Sequence, residues 1–257
     1  MKHRELRASL IETALRMNAL GLNQGRAGNL SVRVAGGFLI TPSGMAYDAM
    51  RPSDIVEMKA DGAVTGRRAP SSEWRIHLDI YAARDEAGAV VHAHPMFATT
   101  LACTGRPIPA FHYMVAVAGG RDIRCAPYAT FGTRKLSVNA LRALADRKAC
   151  LLANHGIIAL GTGLAEALDL ACEVETLAAQ YWRVLQIGKP RILPAKEMAR
   201  VLKKFEGYGL PSVRLREAGL PSVRLRPAAH SLRATGREAG RASAPAKPRK
   251  PRKPRKT

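Results

Sequence analysis

Helical spacing of apolar residues recurs along the first two hundred residues of the chain. Over residues 4–20 the apolar side chains return every three or four positions, and Gly21 can end the helix that this spacing predicts. A helix is predicted over about 72–84, with a serine able to cap it, and Pro95 is suited to open another. The same spacing predicts further helices near 133–145, 163–187 and 195–206.

Alternating and continuous apolar segments predict strands between these helices. NLSVRVAGGFLITPSG alternates around Gly36-Gly37 and IVEMKADGAVTG around Asp61-Gly62, so each segment predicts a β-hairpin. AGAVVHAH, ACLLAN and GIIALG are short apolar runs typical of buried strands. Hairpins join antiparallel strands, whereas parallel strands need a crossover connection. We therefore predict an α/β fold with a mostly antiparallel central sheet covered by helices.

The composition favours an ordinary globular protein. A chain of 257 residues that is 47% hydrophobic can bury one substantial core. No segment approaches the roughly 20 apolar residues that cross a bilayer, and the N-terminus predicts an amphipathic helix instead of a signal sequence, so we expect a cytoplasmic protein without a membrane partner. Cys103, Cys125, Cys150 and Cys172 lie far apart in apolar segments and form no CxxC pair, which predicts buried free thiols.

Positive charge is concentrated at the C-terminal end. Residues 210–257 carry 14 lysines and arginines against Glu217 and Glu238, about +12 of the net charge of +21. This segment contains LPSVRLR twice and ends in KPRKPRKPRKT, with too little apolar content to offset the entropy of ordering it. We predict a catalytic domain over 1–210 and a disordered basic tail over 211–257 that can bind a polyanion weakly.

Three histidines form the first candidate site. In VVHAHP the two-residue period of a strand places His92 and His94 on one face, about 7 Å apart along the strand. His155 directly follows the apolar run ACLLAN, where a polar group needs a partner. Each histidine taken singly is more simply a core or loop residue, but three imidazoles with an open position are a common ligand set of catalytic zinc.

Three clusters of small polar residues form the second candidate site. They are Gly28-Asn29-Leu30-Ser31, Thr41-Pro42-Ser43-Gly44 and Pro70-Ser71-Ser72. Each cluster alone reads as a turn or a helix cap. Together they offer backbone N–H groups, hydroxyls and a helix N-terminus, which are the groups that bind a phosphate dianion. Glu73 follows the third cluster, so a phosphate there would bring the reacting carbons of a substrate near its carboxylate.

An ordered series of motifs over residues 1 to about 210 resembles the class II aldolase/adducin family. The series is GNLSVR, TPSG, PSSEWRIH, VVHAHP, IPAFHYM, AGG, CAPYATFGTRKLS, LLANHG and KFEGYGL. The resemblance implies helices on both sides of a mostly antiparallel sheet in three layers, and a homotetramer with active sites between subunits. It further implies a metal-dependent aldehyde-lyase that cleaves a ketose 1-phosphate such as L-fuculose 1-phosphate to dihydroxyacetone phosphate and a small aldehyde such as L-lactaldehyde.

The resemblance also assigns roles to individual residues. His92, His94 and His155 match the ligands of one zinc ion per chain, and Glu73 matches the catalytic base that also binds the metal without substrate. Tyr113 matches a proton donor contributed by a neighbouring subunit, and Tyr208 matches an aromatic residue of the C-terminal segment. The implied phosphate-binding residues are Gly28, Asn29, Ser43, Gly44, Ser71 and Ser72.

Three alternatives remain open at the level of sequence. A sugar-phosphate 4-epimerase of the same family would use the same metal, although that branch tends to read Ser-Ser-Asp-Thr where this chain has Ser71-Ser72-Glu73-Trp74. A dehydratase or decarboxylase of a related sugar phosphate can share the histidines. A non-catalytic, adducin-like or polyanion-binding protein would have no use for Glu73 beside three metal ligands.

Overall fold

The computed structural model describes residues 2–206 of the chain. The predicted domain boundary near Leu210, the basic tail and Tyr208 lie outside the described residues. Six α-helices and eight strands, with two short 3-10 helices at Tyr47–Ala49 and Tyr113–Ala118, make up the described part. The helices are α1 Arg4–Ala19, α2 Trp74–Ala83, α3 Met96–Ala102, α4 Arg134–Ala143, α5 Leu164–Ile187 and α6 Ala195–Phe205. The strands are β1 Asn29–Val34, β2 Gly37–Ile40, β3 Val56–Lys59, β4 Val64–Thr65, β5 Ala89–Ala93, β6 Cys125–Ala126, β7 Ala149–Leu152 and β8 Gly156–Gly161.

The strands form one eight-stranded sheet in the order β4-β3-β2-β1-β5-β8-β7-β6. The two predicted hairpins are present as β1–β2 and β3–β4, and a third hairpin joins β7 to β8. Strand β5 lies between β1 and β8, with Asn29 opposite His92 and Ala93 opposite Ile157. Segments far apart in the sequence therefore meet at the centre of the sheet.

Helices cover both faces of the sheet, as predicted. Alternation within the central strands divides the core, so that Val91 points to one face and Val90 to the other. The first face packs against α1, α3 and α5, and the second packs against α2 and α4. The result is a three-layer α/β arrangement.

The sheet is mixed, which corrects the prediction of a mostly antiparallel sheet. Strands β6 and β7 are parallel, and the other neighbouring pairs of described strands are antiparallel. The physical reason is that α4 connects β6 to β7 and carries the chain back to the same end of the sheet, as a parallel pair requires. With only Cys125 and Ala126, strand β6 is too short to show a period in the sequence.

Two smaller expectations also change. The prediction of buried thiols holds for Cys150 but is wrong for Cys103, which is exposed, while Cys125 and Cys172 are partly buried. Helix α2 begins at Trp74, so Glu73 occupies the N-cap position instead of the first turn. Among the described helices, none is both long enough and apolar enough to cross a membrane.

Candidate active site

Four side chains suited to metal binding converge where the C-terminal end of β5 meets the beginning of β8. One ligand atom from each of Glu73, His92, His94 and His155 can be chosen so that all four lie within 4.8 Å of one another. His92 Nε2 is 2.9 Å from Glu73 Oε2 and 2.9 Å from His94 Nε2, and His155 Nε2 is 3.3 Å from Glu73 Oε1. The structure therefore brings together the four residues predicted to bind metal.

Backbone geometry explains how each ligand reaches this point. His92 and His94 alternate with Ala93 at the end of β5, so their rings share one face of the sheet, with ring centroids 4.7 Å apart. His155 lies in the three-residue loop between β7 and β8, where Asn154 adopts a left-handed conformation with φ of 54°. Asparagine tolerates that conformation better than most residues, and it turns the chain so that His155 faces the other rings.

Two contacts hold the histidines in orientation. His92 Nδ1 lies 2.9 Å from the Ile157 carbonyl, which can only accept, so Nδ1 donates and Nε2 is the nitrogen that faces the cluster. The Asn23 side chain accepts the backbone N–H of His94 at 2.8 Å. The first contact fixes which nitrogen His92 presents, as partners of metal-binding histidines commonly do, and the second positions the backbone of His94.

Glycine is required beside two of the ligands. A Cβ atom on Gly28 would lie 2.6 Å from the His92 carbonyl oxygen, and the backbone there has φ of +73°. A Cβ atom on Gly156 would lie 2.3 Å from the Ala93 carbonyl oxygen and 2.6 Å from His94 Cδ2. Real Cβ atoms do not approach so closely, so a side chain at either position would displace β5 and its histidines.

The electrostatics of the cluster keep three of its four residues, Glu73, His94 and His155, in the protonation states that metal binding needs. Burial alone would raise the pKa of Glu73, but the positive charge and hydrogen bond of His92, with His155 and Asn29, hold that pKa well below its ordinary range. Burial and the charge of His92 lower the pKa of His94 to about 3 and of His155 to about 4. The carboxylate is thus ionised and these two imidazoles are neutral at pH 7, as metal coordination requires.

The pKa of His92 moves in the opposite direction. Burial lowers it, but the Glu73 carboxylate and the Ile157 carbonyl together raise it above its ordinary value. The side chains of His92 and Glu73 are 1% and 8% exposed, so solvent screens this pair little. The raised pKa of His92 shows that the site favours positive charge where these side chains meet. Glu73 Oε1 is buried and accepts no hydrogen bond within residues 2–206. A metal ion at this point would satisfy that oxygen, so the donor set fits a metal.

A small polar cavity of about 110 Å³ adjoins the cluster and shares Glu73 with it. The structure gathers around this cavity the six residues predicted to bind phosphate: Gly28, Asn29, Ser43, Gly44, Ser71 and Ser72. Backbone hydrogen bonds join the walls, since Ser43 N–H donates to the Ala69 carbonyl and Ser71 N–H to the Thr41 carbonyl, each at 3.0 Å. The cavity is thus held between the end of β2 and the start of α2.

Arg26 also lines this cavity and was not predicted. Its guanidinium donates to the Gly44 carbonyl at 3.0 Å and brings a positive charge to the rim. Its only signal in the sequence is that it is the one charged residue in GLNQGRA, which directly precedes the first polar cluster. Tyr113, the predicted proton donor, does not line this cavity. Its side chain is 51% exposed and packs against His112, with ring centroids 4.8 Å apart.

A buried polar chain behind Glu73 was also missed. Asn29 donates from Nδ2 to Glu73 Oε2 at 3.1 Å, and its Oδ1 lies 2.6 Å from His77 Nε2. Ser31 Oγ contacts both His77 Nδ1, at 2.7 Å, and the Tyr81 hydroxyl, at 2.8 Å. His77 and Tyr81 read in sequence as ordinary positions of an amphipathic helix, so no local pattern marks them.

Comparison with known proteins places this arrangement in a family. Residues 8–182 match the family described as Class II Aldolase and Adducin N-terminal domain, so the chain belongs to that family. The relatives are named as aldolases, and the chain is accordingly an enzyme of the class II aldolase type, a lyase.

Two curated relatives and one solved structure illustrate the match. A 5-methylthioribulose-1-phosphate/5-deoxyribulose-1-phosphate aldolase of Rhodospirillum rubrum is 61% identical over 204 residues, which are 79% of this chain and 92% of the relative. An L-fuculose phosphate aldolase of Escherichia coli strain CFT073 is 50% identical over 211 residues, 82% of this chain and 98% of the relative. A solved L-fuculose 1-phosphate aldolase has a TM-score of 0.78 at 44% identity and covers 80% of this chain and 98% of its own.

Proposed function

We propose that this enzyme reversibly cleaves a ketose 1-phosphate to dihydroxyacetone phosphate and a small aldehyde, with zinc as its metal. The observation that carries the proposal is that Glu73 is shared between the histidine cluster and the polar cavity. A substrate whose phosphate occupies the cavity would place its first carbons beside the carboxylate. Three imidazoles and a carboxylate are a ligand set that zinc prefers.

The proposed reaction breaks the bond between C3 and C4 of the ketose. As the C4 hydroxyl loses its proton and becomes the aldehyde, the electron pair of the broken bond remains on C3, in conjugation with the C2 carbonyl. In the synthetic direction the ionised Glu73 removes a proton from C3, and in cleavage the protonated carboxyl returns that proton to C3. The metal, when bound, supplies Lewis-acid stabilisation of the negative charge that develops on the carbonyl oxygen.

Residues of the cavity position the substrate in this scheme. The serine hydroxyls, glycine N–H groups and the N-terminus of α2 bind the phosphate dianion, and Arg26 adds a charge-assisted contact at the rim. Tyr113 of a neighbouring subunit in a homotetramer exchanges the proton of the aldehyde oxygen. The exposure of Tyr113 supports a role outside its own chain.

We propose 5-deoxyribulose 1-phosphate and its 5-methylthio analogue as the preferred substrates, ahead of L-fuculose 1-phosphate. The sequence motifs alone favoured L-fuculose 1-phosphate. The Rhodospirillum rubrum aldolase, however, is 61% identical, against 50% for the L-fuculose phosphate aldolase. All three candidates are ketose 1-phosphates with a deoxygenated or sulfur-substituted terminal carbon, so they share the bond that breaks.

A substrate panel tests the proposal. The zinc-loaded protein would be incubated with 5-deoxyribulose 1-phosphate, 5-methylthioribulose 1-phosphate, L-fuculose 1-phosphate, L-rhamnulose 1-phosphate and L-ribulose 5-phosphate, with dihydroxyacetone phosphate measured as product. We expect the first two to show the highest kcat/KM. Release of dihydroxyacetone phosphate from none of them would overturn the proposal, and epimerisation, water loss or carbon dioxide release would identify one of the alternative reactions.

Arg26 provides a prediction about phosphate binding. Arg26→Ala should raise the KM of a ketose 1-phosphate about tenfold while kcat changes little, because a charge-assisted contact to the non-reacting phosphate contributes equally to ground and transition states. Steady-state kinetics would measure both constants, with Arg106→Ala as a matched control on an exposed arginine outside the cavity. An unchanged KM would remove Arg26 from the phosphate site.

Subunit mixing provides a prediction about Tyr113. Tyr113→Phe and His94→Ala proteins should each be nearly inactive, but oligomers reassembled from a mixture should regain part of the activity. In a mixed oligomer some sites combine native ligands from one chain with a native Tyr113 from its neighbour. Size-exclusion chromatography would establish the tetramer, and activity after mixing would be compared with the unmixed variants. No gain on mixing would place Tyr113 within its own chain's site or outside catalysis.

The basic segment 211–257 provides a prediction that is separate from catalysis. Its charge predicts weak, sequence-independent binding of RNA or DNA that weakens steeply as salt increases. Truncation after Leu210, which retains Tyr208, should abolish that binding and leave aldol cleavage unchanged. Fluorescence anisotropy with a labelled RNA, at low and high salt, measures the first and the cleavage assay the second. A large loss of cleavage on truncation would contradict the assignment of this segment.

A further inference from the structure

The buried polar chain behind Glu73 passes through a histidine that the reaction does not use directly. His77 is fully buried on α2, and both of its ring nitrogens contact side chains instead of backbone or solvent. From Tyr81 through Ser31, His77 and Asn29 to Glu73, the four contacts are 2.6–3.1 Å long. Five side chains are therefore linked through the core: two from β1, two from α2, and Glu73 at the N-cap of α2.

The Glu73 end of this buried polar chain determines the direction of each hydrogen bond in it. A carboxylate that binds a metal accepts hydrogen bonds and donates none, so the Asn29 amide must present its NH₂ group to Glu73. Its Oδ1 then faces His77 and can only accept, which requires a proton on His77 Nε2. The opposite nitrogen, Nδ1, consequently accepts the Ser31 hydroxyl proton.

The far end of the chain agrees with this direction. Because the Ser31 hydroxyl proton is donated to His77, Ser31 Oγ accepts from Tyr81, and the phenol proton points to Ser31. Burial, followed by the charge of His92, lowers the pKa of His77 to about 3, so the ring is neutral with one proton. Each donor in the buried polar chain thus meets one acceptor, and every side chain donates to the next one in the direction from Tyr81 to Glu73.

We infer that His77 is a positioning residue, which fixes the Asn29 amide in the orientation that donates to Glu73. If the amide were reversed, its oxygen would face the carboxylate and its NH₂ group would face the His77 N–H, so two hydrogen bonds would become repulsive contacts. Without the Nε2–H donor, Asn29 Oδ1 loses its partner on His77, and only the contact between the amide and Glu73 still opposes this reversal. The inference rests on the proposed function, because it assigns the orientation of the proposed base.

The consequence for Glu73 is that its two oxygens are treated differently. Oε2 is held by Asn29 and lies 2.9 Å from His92 Nε2, whereas Oε1 is buried without a hydrogen bond. The His77 chain therefore keeps one oxygen fixed and the other available to the metal or to a substrate proton. Partners that orient a metal ligand in this way typically contribute about 10-fold to 100-fold in metal affinity or activity.

A matched pair of variants tests the inference. His77→Gln retains a donor at the reach of Nε2, and His77→Met has a similar length and no donor. Ser137→Ala serves as a control, since Ser137 on α4 is buried and donates to Asp79, which lies on α2 as His77 does but has no described link to Glu73. All would be made in the full-length chain, and thermal unfolding would show whether each variant folds.

Two readouts separate positioning from packing. The zinc affinity is measured against a competing chelator, and the exchange of a carbon-bound proton of dihydroxyacetone phosphate with deuterated water reports proton transfer alone. We expect His77→Met to lose about 10-fold or more in both, with little change in KM, and His77→Gln to recover most of the loss. Ser137→Ala should resemble the unaltered protein in both.

Several results would overturn the inference. One is an unchanged zinc affinity and exchange rate in His77→Met; another is an equal loss in His77→Gln although both variants fold. If His77→Met does not fold, ¹⁵N NMR of the histidine rings in the unaltered protein tests the inference instead. A proton on Nδ1 of His77 would contradict the hydrogen-bond directions on which the inference depends. Should the unaltered protein exchange no proton of dihydroxyacetone phosphate, the proposed function fails, and the zinc affinities and the ring tautomer still decide the role of His77.

Discussion

Glu73→Gln should retain bound metal and lose at least about 100-fold in turnover, the size of effect expected when a general base is removed. Glutamine keeps a carbonyl oxygen that can accept from the Asn29 amide and lie beside His92, so the three imidazoles remain in place. It has no group that can take or return a proton at neutral pH. Metal content by atomic absorption and turnover of the preferred ketose 1-phosphate would be measured on the same preparation.

A second carboxylate controls for loss of charge alone. Glu57 lies on β3 and pairs with Lys2 and Arg7, away from the histidines. Glu57→Gln should therefore leave turnover within about twofold, since partly exposed ion pairs contribute little. Near-normal turnover in Glu73→Gln would show that another group moves the proton. Loss of the metal in that variant would show that Glu73 acts mainly as a ligand.

His94→Ala should lose most of its metal and, with it, nearly all activity. Its ring reaches the cluster through Nε2, 2.9 Å from His92 Nε2, and alanine supplies no ligand in its place. Removing a partner that merely orients a ligand costs about 10-fold to 100-fold, so removing the ligand itself should weaken zinc binding by more than about 100-fold. Isothermal titration with zinc and the cleavage assay would measure the two losses.

The fold of the His94 variant should survive this change. His94 is only partly buried at the end of β5, and its backbone N–H keeps its acceptor on Asn23. His3→Asn is a suitable control, because His3 lies outside the cluster in a left-handed conformation that asparagine tolerates. Full zinc occupancy in His94→Ala, with His3→Asn unchanged, would contradict the assignment of the metal site.

The three histidines of the candidate metal site were predictable from sequence because local geometry determines most of their arrangement. A strand period places His92 and His94 on one face, and the break after ACLLAN marks His155 as a polar residue at the end of a buried strand. The helices, the hairpins and the clusters around the polar cavity follow from equally local signals. What no local signal shows is the strand order that sets β1 beside β5 and α2 over both.

The residues missed by sequence analysis all depend on that long-range arrangement. His77 lies at an apolar-facing position of α2, and its role becomes visible only when Asn29 and Ser31 on β1 are known to lie beneath it. Arg26 lies in a turn, and its side chain could equally have faced solvent. Strand β6 pairs through two residues only, so its parallel partner β7 depends on the α4 connection instead of on its own sequence.

The position of β5 between β1 and β8 also makes the candidate metal site a marker of chain assembly. His92 and His155 belong to segments separated by about sixty residues, and they approach each other only when the β7–β8 hairpin docks against β5. Pairing of distant segments is a slow part of folding, because chain entropy is lost before the contacts form. Cobalt(II), whose visible absorption changes on tetrahedral coordination, would therefore colour the refolding protein only once the centre of the sheet has closed.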